Sequence, residues 1–317
     1  MTRTPETNRS STTSTRLAPV DPARPFGAHL SLRWWVPVVL TVTVIVVTNV
    51  LQTLLVVGAT VIEVRLLGHE AGDTSMTPLR YLASNVAIIM VAPLALLVLA
   101  WAGRAPWRAV LSRERHFHWG RLGAYLGIFA GLMVVTNIAI HLVNPSPAEL
   151  FAISGTTIAL LAVIVVTTPL QAASEEVVFR GVLTPSYASW VRASRPAIML
   201  GITGSSILFM VMHVSTDLWM IVNYLGLGVS TALMALLSKG LEASIAFHVM
   251  NNVFAMTIGA LFAEGGGISQ DRTAGSAGPY LLLVLVAEAV AVLIVWQLEK
   301  RRRVVSPDAT SGHSRAE

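Results

Sequence analysis

The chain is built on apolar runs of about twenty residues, the length an α-helix needs to cross the hydrocarbon core of a bilayer. Such runs begin near residues 35, 82, 122, 156, 196, 218, 243 and 280, with polar segments between them. Lipid offers no water to satisfy backbone N–H and C=O groups, so runs of this kind are forced to be helical. The expected fold is all-α: a polytopic membrane bundle of about eight transmembrane helices, over 35–57, 82–101, 122–143, 156 to about 180, 196–213, 218–237, 243–262 and 280–298. Charged residues make up 12% of the 317, about half the roughly 25% of a soluble domain.

Residues 1–33, rich in Ser, Thr, Arg and Pro, read as a disordered tail, 34–300 as the bundle and 301–317 as a second tail. The net charge of +5 does not imply a nucleic-acid partner, because the arginines sit in tails and short loops, where they set topology. The basic segments are the N-terminal tail, the loop with Arg104, Arg108, Arg113, Arg115 and Arg121, the Arg192/Arg195 segment, the turn at Lys239 and the run Lys300–Arg303. Alternating helices put all of them on one side. The positive-inside rule then predicts a multi-pass protein of the cell membrane with both termini cytoplasmic. The absence of cysteine excludes disulfides, thiolate metal sites and a cysteine nucleophile.

Ionisable residues inside the spans are informative, because a charge at a helix centre costs roughly 2.5–3.5 kcal/mol even on the mildest insertion scales. The fourth run ends in QAASEEVVFR, residues 171–180. Glu176 and Arg180 are i,i+4 neighbours able to pair along one face. Glu175 is turned away by about 100° and is less compensated, as suits a general base or acid. The segment FMVMH, 209–213, puts His213 at the end of the fifth run. In HVMNN, 248–252, His248 and Asn252 share a face of the seventh. Two imidazoles, two carboxylates and an amide from three helices form a convergent set able to move protons and donate hydrogen bonds.

Simpler readings serve elsewhere. His116 and His118 read as a solvated face, His141 as interfacial, and Glu288 as a helix-packing or lipid-rim residue. Asn223 and Tyr224 read as inter-helix partners, and Gly226 and Gly228 as close-packing positions. The loop 263–279 is polar, glycine-rich and expected to be flexible.

The three segments, in this order and at span-sized separations, resemble the CAAX prenyl protease and bacteriocin-processing family of intramembrane peptidases. Glu175, Glu176 and Arg180 match its E-E-x-x-x-R motif, Phe209 and His213 its F-x-x-x-H, His248 and Asn252 its H-x-x-x-N. The resemblance covers roughly residues 155–260 and implies peptide-bond hydrolysis within the membrane, acting on a peptide or membrane-protein segment. It makes Glu175 the general base that activates water, helped by His213. It makes His248 and Asn252 donors to the oxyanion, and Glu176 and Arg180 the pair that orients the site. The family is often labelled metallopeptidase, and Glu with two His is a conceivable zinc set. The sequence lacks H-E-x-x-H, so the expectation is a metal-independent, glutamate-based mechanism without a cofactor. Two rival readings are a proton-coupled transporter, although no inverted repeat is found, and a catalytically silent scaffold.

That reading makes a geometric demand. Alternation puts Glu175 near the basic end of the fourth run, while His213 lies roughly 25 Å along the fifth from Pro196. The two meet only if the fourth helix continues past Arg180, or the fifth starts deep, tilts or breaks. Irregular backbone beside the site is therefore expected.

Overall fold

The computed structural model describes residues 19–70, 72–112 and 116–305, and its regular structure is helical apart from three isolated β-bridges. The helices are α1 (Val36–Leu66), α2 (Pro78–Val98), α3 (Arg108–Leu111), α4 (Trp119–Val143), α5 (Gly155–Glu176), α6 (Thr184–Ala188), α7 (Ser194–Met212), α8 (Leu218–Ser238), α9 (Glu242–Leu261) and α10 (Leu282–Val305). A π-helical turn, Leu99–Gly103, extends α2, and a π-helical stretch, Val177–Leu183, joins α5 to α6. Among the described residues eight spans are long and apolar enough to cross a membrane, matching the eight expected runs.

Local chemistry sets the helix starts. Before α2, the Thr77 hydroxyl accepts the Arg80 N–H, and Pro78 occupies the first turn, where a missing donor costs nothing. Before α5, Ser154 and Thr157 cap each other reciprocally. Before α8, the Asp217 carboxylate accepts the Met220 N–H.

α1 and α2 form a hairpin, and α2 packs on α5. α5 packs on α9, α9 on α4, α4 on α10, and α10 on α8; α8 also packs on α7 and α9. α5 and α9 thus sit at the centre. The outside is apolar, with Leu54, Leu142, Val165, Val166 and Met199 pointing outward, a surface suited to lipid.

The two ends of the bundle are distinct. At one end the Trp190 indole donates to Trp34 O, Arg24 donates to Ala188 O and Val191 O, and Ser112 bridges to Gly240. Arg121 there pairs with Glu299. This end gathers the described basic segments and the exposed Trp34, Trp101, Trp107 and Trp119, side chains that favour a membrane–water interface. Arg113 and Arg115 lie outside the described residues. At the other end Met76 bridges to Ile268, and Glu264 N–H donates to Leu150 O.

Several expected boundaries move. Of the tail read over 1–33, residues 1–18 lie outside the described set, but 19–33 are folded. Phe26, Ala28, His29 and Leu30 are buried, and Val20 bridges to Leu30. α1 runs on through Glu63 and Arg65 because Arg80 pairs with Glu63, 2.7 Å from Nε to Oε2, so the charge does not end the helix. The fourth span continues past Arg180 to Ala188. α10 does not stop at Leu298 but runs through Lys300 to Val305. Of the second tail, 306–317 lie outside the described residues.

Candidate active site

The site begins where α5 gives way to π-helical backbone. The wider turn starts directly after Glu176 and includes Arg180; such insertions re-aim side chains and cluster at functional positions. Together with the continuation to Ala188 it meets the demand for irregular backbone that the sequence raised.

Glu176 and Arg180 turn into the protein and are almost completely buried. Arg180 Nε lies 3.5 Å from Glu176 Oε2 and donates to the Thr231 hydroxyl at 2.8 Å. Its Nη2 donates to Leu227 O and Gly228 O on α8 at 3.4 and 3.2 Å. The guanidinium also lies 4.6 Å over the Phe209 ring. A buried guanidinium held by a carboxylate, a hydroxyl, two carbonyls and an aromatic face is a fixed element, not a mobile one.

His248 lies between the two glutamates. Its Nδ1 is 2.8 Å from Glu176 Oε1, and its Nε2 is 3.3 Å from Glu175 Oε2, a contact not aligned as a hydrogen bond. Glu176 therefore ties α5 to α9 and aims the far edge of the imidazole at Glu175. Phe209 packs edge-on against both His248 and Phe179, joining α7 to the cluster.

Glu175, His213 and Asn252 face a cavity of about 390 Å³. Its other walls include Thr48, Asn49 and Gln52 from α1, Ser84 and Asn85 from α2, Gln171 from α5 and Tyr224 from α8. His213 Nδ1 lies 2.8 Å from Phe209 O, and the ring stacks on Tyr224 with centroids 4.1 Å apart. Asn252 donates to the Gln171 side-chain oxygen at 3.4 Å. Of the six singled-out residues, three thus open on the cavity, and Glu176, Arg180 and His248 form a buried layer behind it. His248 is 1% exposed, so it meets the cavity only through Glu175. A second hollow of about 580 Å³ between α4 and α9 is lined mostly by apolar side chains, with Asn137, His141, Asn144, Ser146 and Thr257 among them, and the charged cluster does not reach it.

Both ring nitrogens of His248 face carboxylates, and Glu176 is shared with Arg180.

Sequence reasoning missed Thr231, Gln171, Gln52 and Arg272. Each is a lone polar residue whose partner lies on another element, so spacing within one helix carries no sign of it. Glu288 is buried against the Gly226 backbone, so of the two expected readings packing holds and the lipid rim does not.

Residues 155–254 match the family model described as Rce1-like, type II CAAX prenyl endopeptidase. The uncharacterized protein YyaK of Bacillus subtilis (strain 168) is 23% identical over 178 residues, which cover 54% of this chain and 58% of that protein. The chain thus spans less than two thirds of the relative it matches. No solved structure matches.

Proposed function

We propose that this chain, whose residues 155–254 match a CAAX-type protease family model, is an intramembrane endopeptidase that hydrolyses peptide bonds with a water activated by Glu175. The observation that carries the reading is the shared cavity: Glu175, His213 and Asn252 come from three separate elements and line one hollow between the spans.

In this reading Glu175 removes a proton from water, and the water oxygen attacks the scissile carbonyl carbon. The Asn252 amide donates to the developing oxyanion, which a fixed donor in a water-poor site stabilises strongly, while His213, its Nδ1 hydrogen directed at Phe209 O, presents Nε2 as an acceptor that helps Glu175 hold the water. Collapse of the tetrahedral intermediate breaks the C–N bond, and the proton held at Glu175 passes to the leaving nitrogen. The products are a new carboxylate and a new amine. His248, oriented by Glu176, adjusts the charge beside Glu175; with both nitrogens turned to carboxylates, it serves this role better than that of a direct oxyanion donor. Arg180 pairs with Glu176 and fixes its carboxylate. The substrate is a peptide or membrane-protein segment entering from the bilayer. The basic end faces the cytoplasm by the positive-inside rule.

Comparative proteomics of cells carrying wild type or Glu175→Ala tests this. A peptide or membrane protein that accumulates uncut in the variant, at equal expression, supports the peptidase. An identical pattern in both strains overturns it, and altered proton flux would turn attention to a carrier.

A further inference from the structure

α7 ends at Met212, and the chain turns at once to reach α8 at Leu218. The turn contains a strained residue. Val214 has φ +47°, in the left-handed region that a β-branched side chain avoids. Its side chain is 79% exposed, so packing does not hold it there. A conformation of this kind persists only where its surroundings over-determine it.

Arg272, from the loop between α9 and α10, grips the chain on both sides of Val214. Its Nη1 donates to the His213 carbonyl at 2.5 Å. Its own carbonyl accepts the Thr216 N–H at 2.9 Å, the Asp217 N–H at 3.3 Å and the Ser215 hydroxyl at 3.1 Å. The guanidinium lies 5.9 Å over the ring of Tyr224, the ring that stacks on His213. The loop is anchored in turn: the Asp217 carboxylate accepts the N–H groups of Gly275 and Ala277, and Ile268 pairs with Met76. The segment that composition marks as flexible is laced to the mouth of the cavity.

We propose that Arg272 is a positioning residue: it clamps the strained His213–Asp217 turn and so holds the His213 imidazole against the cavity. The clamp stands on geometry alone, and its consequence for catalysis rests on the peptidase reading. With Nδ1 committed to Phe209 O, the ring has only Nε2 left for a substrate, so a rotation of the turn removes that nitrogen from use.

The test uses the full chain in lipid nanodiscs with histidine labelled at Cε1, and His213→Asn to identify the His213 resonance. Arg272→Met is expected to shift or broaden that resonance and leave that of His141, on α4, in place. Arg272→Lys, which keeps a donor for the His213 carbonyl, is expected to restore part of the wild-type position and serves if Arg272→Met does not fold. In cleavage assays Arg272→Met is expected to lower kcat by up to about 100-fold, the effect of a catalytic group misplaced by about 1 Å, with little change in KM. It should add nothing in a His213→Ala background. Val214→Gly, which adopts the positive φ without strain, should shrink the loss. An unmoved His213 resonance in folded Arg272→Met, or a kcat loss that adds in full to that of His213→Ala, overturns the proposal. A moved resonance in Arg272→Met, with no cleavage by the wild type, would instead remove the peptidase reading and leave the clamp.

Discussion

Glu175 and Glu176 are adjacent in the chain, yet one reaches the cavity and the other is sealed behind it. That division yields two predictions. Glu175→Gln keeps the shape and removes the proposed base, so cleavage should fall by about 10²–10⁴ while the protein stays folded; turnover near the wild-type rate would exclude Glu175 as base. Glu176→Gln leaves Arg180 buried without its anion, a change that costs about 3–5 kcal/mol in buried pairs. Thermal unfolding in detergent should register it, and an unchanged midpoint would mean the pair does not hold the core. Both glutamates were legible in the sequence because the i,i+4 spacing to Arg180 and the 100° step between neighbours are properties of any helix. Thr231 and Gln171 were not legible, since nothing within one helix reports which residue of another it will meet.

At the scale of elements, the count of spans was plain from hydropathy, but their ends were not. Glu63 and Arg65 look like the end of a helix, and Arg80 makes them part of one. Thr184, Pro185 and Ser186 look like a loop and instead form the last turn of the longest span. α7 passes that turn so closely that a Cβ on Gly201 would lie 2.5 Å from Thr184 O, whereas one on Gly127 of α4 meets nothing within 4 Å. Gly201→Ala should therefore destabilise the bundle by about 1–3 kcal/mol through overpacking, and Gly127→Ala should be neutral or mildly stabilising. Equal melting shifts for the two would refute the close approach.

The turn between α7 and α8 adds a pH effect. Hydrogen bonds from the Met220, Gly275 and Ala277 N–H groups hold the Asp217 carboxyl below the usual carboxylate range. A group with a lowered folded-state pKa stabilises above its ordinary pKa, and loses that contribution as pH falls through the lower, folded value. Protection factors of the 270–277 amides, corrected for the intrinsic exchange rate, should therefore fall in acid, and Asp217→Asn should flatten that response. Acid-insensitive protection in the wild type would show that the carboxylate does not anchor the loop.

For the whole molecule, the separation of basic and neutral ends predicts sidedness. The chain has no cysteine, so single introduced thiols report cleanly. In intact cells a membrane-impermeant maleimide should label Ser269→Cys and not Ser194→Cys, which lie at opposite ends of the bundle; the reverse pattern would invert the topology. The sequence carried this polarity in its arginines. It gave no sign that residues 19–33 fold beneath the basic end, because the alternation of Phe26, Ala28, Leu30 and Leu32 is too short to mark an element and follows three prolines.

The 34-residue span Gly155–Ala188 has a further consequence. At 1.5 Å per residue it is about 51 Å long, against a hydrocarbon thickness of about 30 Å. It must lean, project from the surface, or deform the lipid around it. Because Glu175 rides on this span, the proposed peptidase activity would depend on acyl-chain length: thinner and thicker vesicles would tip the span differently and move the carboxylate against its neighbours.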